Sequence, residues 1–453
     1  MSRGIRIGLI IAVAVVLTYP MAAWVIGIVV EKQNEADEQK RLADAPYVVR
    51  VKRDYQRGIF SSVVRLTYQI ALPMAKGASD KGAFGPWHLT TRCVVHHGPL
   101  PRLQTFALAT ADCDLQLPPE MGQDVTAALA GKSPLDAYVR YGWFGGSTTT
   151  FTSPAFTLKL DNGVTVSWQG LTGKLEAGRD LATWSGTFTT PGFTVDHAAT
   201  HAEIGPMTFT ADMRRVFDTL HVGTASVKAA GATVHSAEPD KDLALKGVAV
   251  SAVSSQDGDY VNSAVELTVD AMEAKEFSAT RVGYTFRLKH AHGPSLAALT
   301  RAMRDAQREA LAANQEAFQS KLRDSFREHG IDVLVHDPVL EIPRIGFVTP
   351  EGEARLSAKL SAPGLTREDL QGPGFPGAIL RHLEAEADLA VSTALLKKML
   401  SGNQNGAAAL QRLATLQRQG YVKEAAAQYT IHVTYEHGKT LVNALPFPPV
   451  GPH

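Results

Sequence analysis

From Ile7 to Val30 the chain carries no charged side chain; from Tyr47 onward the pattern turns to alternation of apolar and polar positions. A helix of about 24 residues rises roughly 36 Å, enough to cross a hydrocarbon core of ~30 Å with some tilt. Arg3 and Arg6 precede this run, and a mixed, slightly acidic stretch, Glu31 to Asp44, follows it. Positive charge is retained on the cytoplasmic side, so the pattern predicts a cytoplasmic N-terminus with the body across the membrane. A cleaved signal peptide is the rival, but its apolar region would be shorter, and Met21-Ala22-Ala23 is a poor cleavage site. The reading is a signal anchor over 1–30, spanning with residues 7–30, then a membrane-proximal linker over 31–46 that leaves the membrane as a short helix.

Alternation at Val49-Arg50-Val51-Lys52, Val63 to Ile70 and Phe286 to Lys289, with a Thr- and Phe-rich run from Thr148 to Leu160, predicts strands with one wet face. Asp161-Asn162-Gly163, Asp257-Gly258, Glu351-Gly352 and His437-Gly438 lie between such runs and suit hairpin turns that need positive φ. These signals predict an antiparallel β-rich domain over 47–294. Two intervals switch to helical spacing. Ser295 caps the first, with Leu299, Met303 and Ala306 on one face and Gly330 as its stop. The second, about Pro376 to Gly420, carries Leu383, Leu389, Leu395, Leu396, Met399 and Leu400 and breaks at Ser401-Gly402-Asn403. Strand character returns from Ile331 to Ser361 and in a hairpin from Ala425 to Leu445, giving a helix-strand-helix-strand region over 295–445. A Pro-rich tail over 446–453 closes the chain. The fold class is α+β: one N-terminal transmembrane helix, then a mainly antiparallel, meander- or hairpin-built body with two amphipathic helical segments in its C-terminal half.

Composition narrows the functional classes. The 453 residues are 45% hydrophobic and 20% charged, too apolar for a mainly disordered chain. Lys+Arg and Asp+Glu are 45 each, which argues against a nucleic-acid partner. The neutral total has local structure: the stretch after the apolar run is acidic, and Tyr47 to Leu66 is basic.

The two cysteines, Cys93 and Cys113, flank a turn and would lie in an oxidising compartment, so the expectation is a structural disulfide. The spacing is unlike that of a redox Cys-x-x-Cys pair. Fifteen histidines raise a metal site, but His96-His97 point to opposite faces of a strand, and only pairs such as His290 and His292 share one. Zinc needs three or four convergent ligands, so no metal site is assigned. Gly372-Pro373-Gly374-Phe375-Pro376-Gly377 matches a dinucleotide fingerprint in letters only: two prolines remove N–H donors and no strand precedes it. Glu384 and Asp388 read as solvated carboxylates on a helix surface. No catalytic motif and no cofactor site emerge, so the chain is read as a non-enzyme.

Tyr55-Gln56-Arg57-Gly58-Ile59-Phe60-Ser61-Ser62, then His97-Gly98-Pro99-Leu100-Pro101, then Tyr141-Gly142 opening a Gly/Ser-rich strand, occur in order after an N-terminal apolar helix. In this the chain resembles the bacterial YdgA-like family. Trp168-Gln169-Gly170, Trp184-Ser185-Gly186 and the closing Tyr435 to Lys439 extend the likeness to most of the chain. The resemblance implies an inner-membrane-anchored periplasmic protein without an established activity, and no catalytic residues to carry over. The cysteine pair is outside the family pattern. Physically, Arg57-Gly58 suits a bend that sets Phe60 into the core, and His97 suits a hydrogen bond across the Gly98-Pro99 turn. His292-Gly293-Pro294 echoes His97-Gly98-Pro99 and raises the idea of related halves.

Two functions follow as expectations. The first is a tethered periplasmic module that binds a lipid or another hydrophobic ligand on a long sheet and supports envelope maintenance or transport. The second is a structural or assembly protein acting through a homodimer or envelope-protein partners. An unrecognised hydrolase using His97, His290 or His292 ranks last.

Overall fold

The computed structural model describes residues 3–45, 47–70, 87–117, 127–160, 163–236, 238, 241–275, 277–311, 315–371, 375–401 and 406–447. Side chains up to residue 17 and at 309–319 lie outside the description, as do Gly372 to Gly374 and the tail from 448. The chain forms two compact units. The first comprises Met1–Phe193, Thr210–Arg215 and Arg304–Leu322; the second comprises Thr194–Phe209, Val216–Met303 and Arg323–His453.

The first unit opens with helix α1, Arg3–Asp44. Strands β1 (Val48–Arg57), β2 (Ser61–Ile70), β3 (Trp87–His97), β4 (Ala109–Gln116), β5 (Asp136–Tyr141) and β6 (Ser147–Ser153) then pair consecutively. The short hairpin β7 (Phe156–Lys159) and β8 (Val164–Trp168) follows. Beyond it, β9 (Leu171–Ala177) returns to β6, and β10 (Thr183–Thr190) extends from β9. Every one of these pairs is antiparallel. The core holds Val30 of α1 with Val64, Val95, Leu108, Ala109 and Ala111 of the sheet and its loops. Cys93 and Cys113 are directly opposed in register on β3 and β4 and are joined by a disulfide.

Strands β11 (Phe193–His197) and β13 (Met207–Phe217) carry the chain between the units, with β12 (Thr200–Ile204) between them in sequence. The second unit is built on long strands: β14 (Leu220–His235), β15 (Leu243–Asp257), β16 (Tyr260–Ala274) and β17 (Phe277–His292). It continues through β18 (Val339–Thr349), β19 (Gly352–Ser361), β20 (Glu384–Ser392) and β22 (Gln428–Glu436). Each pairs antiparallel with the next. The short strands β21 (Lys423–Ala425), β23 (Lys439–Val442) and β24 (Leu445–Pro446) finish around β22. Helix α2 (Gly293–Leu311) follows β17, and α3 (Gln315–Ser325) leads through a π turn into α4 (Ile331–Leu334). The others are α5 (Arg367–Gln371), α6 (Phe375–His382), α7 (Thr393–Ser401) and α8 (Gly406–Arg418). Ile331, Leu365 and Leu370 form a satellite core with Leu334, Val335 and Ile379.

The β-rich antiparallel body with several helices is as the pattern predicts, and the turns at Asp257-Gly258, Glu351-Gly352 and His437-Gly438 join the strands expected. Asp161 and Asn162 lie outside the described residues. Six elements differ. Ile331–Leu334, expected to open a strand, is helix α4, and Gly330 lies in the π turn that leads into it, so it does not stop the helix. Among the described residues, no helix is long and apolar enough to cross a membrane. The expected span 7–30 falls partly on side chains outside the description, and its second half is packed on the sheet: Ala23 and Val30 are buried. Helix α1 continues through 31–44 without a break, so no separate linker helix forms. Glu384 to Ser392 is a strand inside the second interval expected to be helical. The helix-forming Ala, Glu and Leu residues are overridden there because both neighbours, β19 and β22, offer a full ladder. Finally, Pro446, expected in the tail, closes the last pairing.

Replacing both Cys93 and Cys113 with Ser should lower the stability of the first unit by about 3 kcal/mol, since the bridge closes a loop of 20 residues. Urea unfolding with and without reductant, on wild type and double variant, measures this; the variant alone should be insensitive to reductant.

Candidate functional site

The ordered motif residues converge on the seat of α1. Glu31, Glu35 and Glu38 share one helix face and meet arginines on β1. Arg50 reaches Glu38 at 2.9 Å and Glu35 at 3.2 Å, Arg53 reaches Glu35 at 2.7 Å, and Arg57 bonds Glu31. A register shift between Arg50 and Lys52 re-aims the strand, which lets arginines at uneven spacing serve one helix. Glu38 is buried, and the Tyr68 hydroxyl donates to it at 3.0 Å. Burial, with the Glu38 charge beside it, pushes the Tyr68 phenol up. Arg53 also lies over the Tyr55 ring, 5.1 Å from its centroid, and Tyr55 packs on the core.

One turn earlier on α1, Gly27 sits on the His97 ring. A Cβ added at Gly27 would fall 2.5 Å from the His97 Cε1 atom. His97 is 2% exposed. Its Nδ1 lies 2.9 Å from the Ile59 carbonyl, which can only accept, so Nδ1 carries the proton. Nε2 is then the acceptor for the Ser62 hydroxyl, also at 2.9 Å. This is the connectivity of a nucleophile and its base, yet Ser62 is 1% exposed, and its backbone is spent in the ladder with Val95. Substrate has no approach to it. Burial of the neutral ring, and secondarily the Arg57 charge, hold the His97 pKa below the usual imidazole value.

The remaining motif residues shape this seat. Gly58 donates to the Ser61 carbonyl at 2.8 Å and closes the β1–β2 turn. Ser61 pairs with His96. Phe60 is half-exposed and stacks on Tyr19 of α1, so the expected core placement is corrected: the bend aims the ring at the helix. Gly98 donates to the Leu108 carbonyl, and a Cβ there would lie 2.3 Å from the Ala107 carbonyl oxygen. Gly98-Pro99 is cis, and Pro101 is buried. Tyr141 packs on the core cluster, and burial raises its phenol. Gly142 donates to the Gly146 carbonyl in the next turn.

The second unit carries a different feature. Its register places Val227, Val250, Leu267, Tyr284, Ile345, Leu356, Leu389 and Ile431 in one row across eight strands. Parallel rows on the same face read Ala252, Val265, Phe286 and Val248, Val269, Val282. No residue of the main row is buried, and Tyr284 and Ile345 are each 42% exposed. At about 4.8 Å per strand the row is roughly 34 Å long. The opposite face carries Arg355, Asp388 and His432, among other polar side chains.

The histidine pairs also resolve. His292 stacks on His336 with centroids 3.9 Å apart, and its Nδ1 is 2.7 Å from the Ser295 hydroxyl oxygen. Burial and the His336 charge lower its pKa. His290 instead stacks on Tyr260 at 3.7 Å. Among the described residues, Glu386, Asp388 and His432 bring three ligand atoms within 4.8 Å of one another. Sequence spacing missed this group because 44 residues separate His432 from Asp388, and because Glu384 and Asp388 were expected on a helix. The His432 Nδ1 to Asp388 contact of 2.8 Å already pairs two of the three.

The family described as bacterial protein of unknown function (DUF945) matches residues 1–450. The chain belongs to this family. It is similar to Protein YdgA of Escherichia coli (strain K12), 24% identical over 395 residues, covering 80% of this chain and 76% of that protein. No solved structure matches the chain. The family carries no assigned activity, so the geometry must supply the functional reading.

Gly27→Val should lift α1 from its seat. Amide hydrogen exchange by mass spectrometry should show faster exchange over 31–44 than in wild type, and unchanged exchange would refute the contact. His97 also sets a pH dependence. Its folded pKa is lowered, so the unfolded chain takes up protons first as pH falls. The His97 contribution is complete above the ordinary imidazole value of about 6.5 and is lost as pH falls from there toward the lowered folded value. Urea unfolding at pH 8 and in mild acid should show this loss, and His97→Gln should reduce it.

Proposed function

We propose that this protein is a non-catalytic, membrane-tethered component of the bacterial envelope that holds an elongated apolar ligand, a lipid acyl chain, along the sheet of its second unit. The observation that carries this reading is the row from Val227 to Ile431: eight consecutive strands place an aliphatic or aromatic side chain at one level, and none is buried. Isolated exposed apolar residues are ordinary on protein surfaces, but a continuous row is not. A chain lying across the strands would bury apolar surface at ~25 cal/mol per Å² without needing a directed polar contact; the row's one polar side-chain group is the Tyr284 hydroxyl. The uncharged run that opens the chain supports tethering at the inner membrane, with the N-terminus cytoplasmic and the body periplasmic. The inaccessible Ser62–His97 pair supports the non-catalytic reading.

The alternative, an assembly protein, uses the same face: a second copy or an envelope partner would cover the row in place of lipid.

Val250→Asp and Tyr284→Glu place a charge in the row at exposed positions. Each should weaken binding of a fluorescent fatty acid by about tenfold or more, with little change in melting temperature. Mass spectrometry of co-purifying lipid should show the same loss. Absence of probe binding and of lipid in wild type would overturn the reading. A dimer by light scattering that these same variants dissolve would favour the assembly protein.

A further inference from the structure

Helix α1 is held on the first unit from Tyr19 onward. The Tyr19 hydroxyl donates to the Leu100 carbonyl at 2.8 Å, and its ring stacks on Phe60. The uncharged sequence before that point, Ile7 to Thr18, is too short for a membrane span. About 12 helical residues rise roughly 18 Å, against a hydrocarbon core of ~30 Å that takes about 20 residues. A full span counted from Ile7 therefore extends to about Ile26, and so includes the stretch that Phe60 and Leu100 hold.

The surface at this end is apolar in keeping with that. Leu103 is 77% and Met21 70% exposed, and Trp24, Ile59, Phe60 and Leu100 are also exposed. They come from three separate pieces of chain: α1, the β1–β2 turn and the β3–β4 loop. The Tyr19 contacts and the Leu103 N–H bond to the Leu100 carbonyl bring the three pieces of chain together, while Met21 and Trp24 lie on another face of α1 from Tyr19. Trp24, two residues before the end of that span, is of the aromatic type that settles at a membrane boundary. The charges among these loops are already neutralised: Arg57 pairs with Glu31 and Arg102 with Asp112. Paired, long-stemmed arginines tolerate the boundary of a bilayer.

We infer that the Ile59-Phe60 turn and the Leu100–Leu103 loop enter the bilayer boundary beside α1, so that the first unit is seated in the membrane surface rather than suspended above it. The inference rests on the tethering reading and is independent of the apolar row of the second unit. It reconciles the two demands on α1: the helix keeps its contacts with Phe60 and Leu100 while its apolar length lies in lipid.

The test uses the full chain, whose two cysteines are consumed in the disulfide, so Leu103→Cys supplies a single thiol for an environment-sensitive fluorophore. Lys132→Cys, in the loop before β5 and so at the end of that strand away from Tyr141, is the control. Both proteins are incorporated into phosphatidylcholine vesicles with brominated acyl chains and checked by flotation. The expected result is a blue shift and several-fold stronger quenching at position 103 than at 132, appearing only with vesicles and unchanged in a Tyr284→Glu background. Flotation with a solvent-like probe at 103 would overturn the seating while leaving the tether intact; failure to float would overturn both. A blue shift at 103 without vesicles would overturn it in favour of a protein partner on this patch.

Discussion

The seating of α1 on the first unit is the contact from which the motif residues take their meaning. Two constraints meet there. Glu38 is buried, and an unpaired buried carboxylate is costly enough that the helix can lie only where Arg50 and Tyr68 reach it. Gly27 lies against the His97 ring, and any larger residue would need the space the imidazole occupies. The ion ladder sets the position of the helix along β1; the glycine sets its distance from the sheet. Truncating one partner of such a network leaves the other charge stranded, so the ladder works as a unit.

Histidine at the centre of the motif has a positioning role. Its two nitrogens join the β1–β2 turn to the start of β2, through the Ile59 carbonyl and the Ser62 hydroxyl, and its ring face receives the helix. The second unit repeats the His-Gly-Pro letters with another outcome. Gly293 packs closely on Phe217 and opens α2, while His292 stacks on His336. The same tripeptide ends a long strand in both units, yet its surroundings decide whether a loop or a helix follows.

The two units solve the problem of apolar surface differently. In the first, α1 covers part of one sheet face through Val30, and exposed apolar residues remain on β1 (Val49, Val51) and β5 (Tyr138) as well as in the loops. In the second, the strands are longer and the satellite core of Ile331, Leu365 and Leu370 is built by helices and loops, so the row from Val227 to Ile431 is left uncovered. An ordered apolar row across eight strands, none of its residues buried, carries a standing opportunity for association, which is the basis for reading it as a ligand surface.

The sequence alone determined the local features. Alternation identified strands because side chains in a sheet point to opposite faces residue by residue. Hairpins at Asp257-Gly258 and His437-Gly438 were legible because few residues accept positive φ. The cysteine pairing followed from there being only two. The acidic stretch 31–44 and the basic stretch 47–66 were visible as composition, but not as partners, because ion pairing across elements depends on register and crossing geometry. Tertiary structure decided everything non-local. It made Glu384 to Ser392 a strand against its helical propensity, because two ladders outweigh a few tenths of a kcal/mol per residue. It turned Phe60 outward onto Tyr19 and brought His432 beside Asp388. Above all it aligned eight separately unremarkable side chains, Val227 through Ile431, into one row. No single strand carries that row; strand register creates it, and register is a property of the whole sheet.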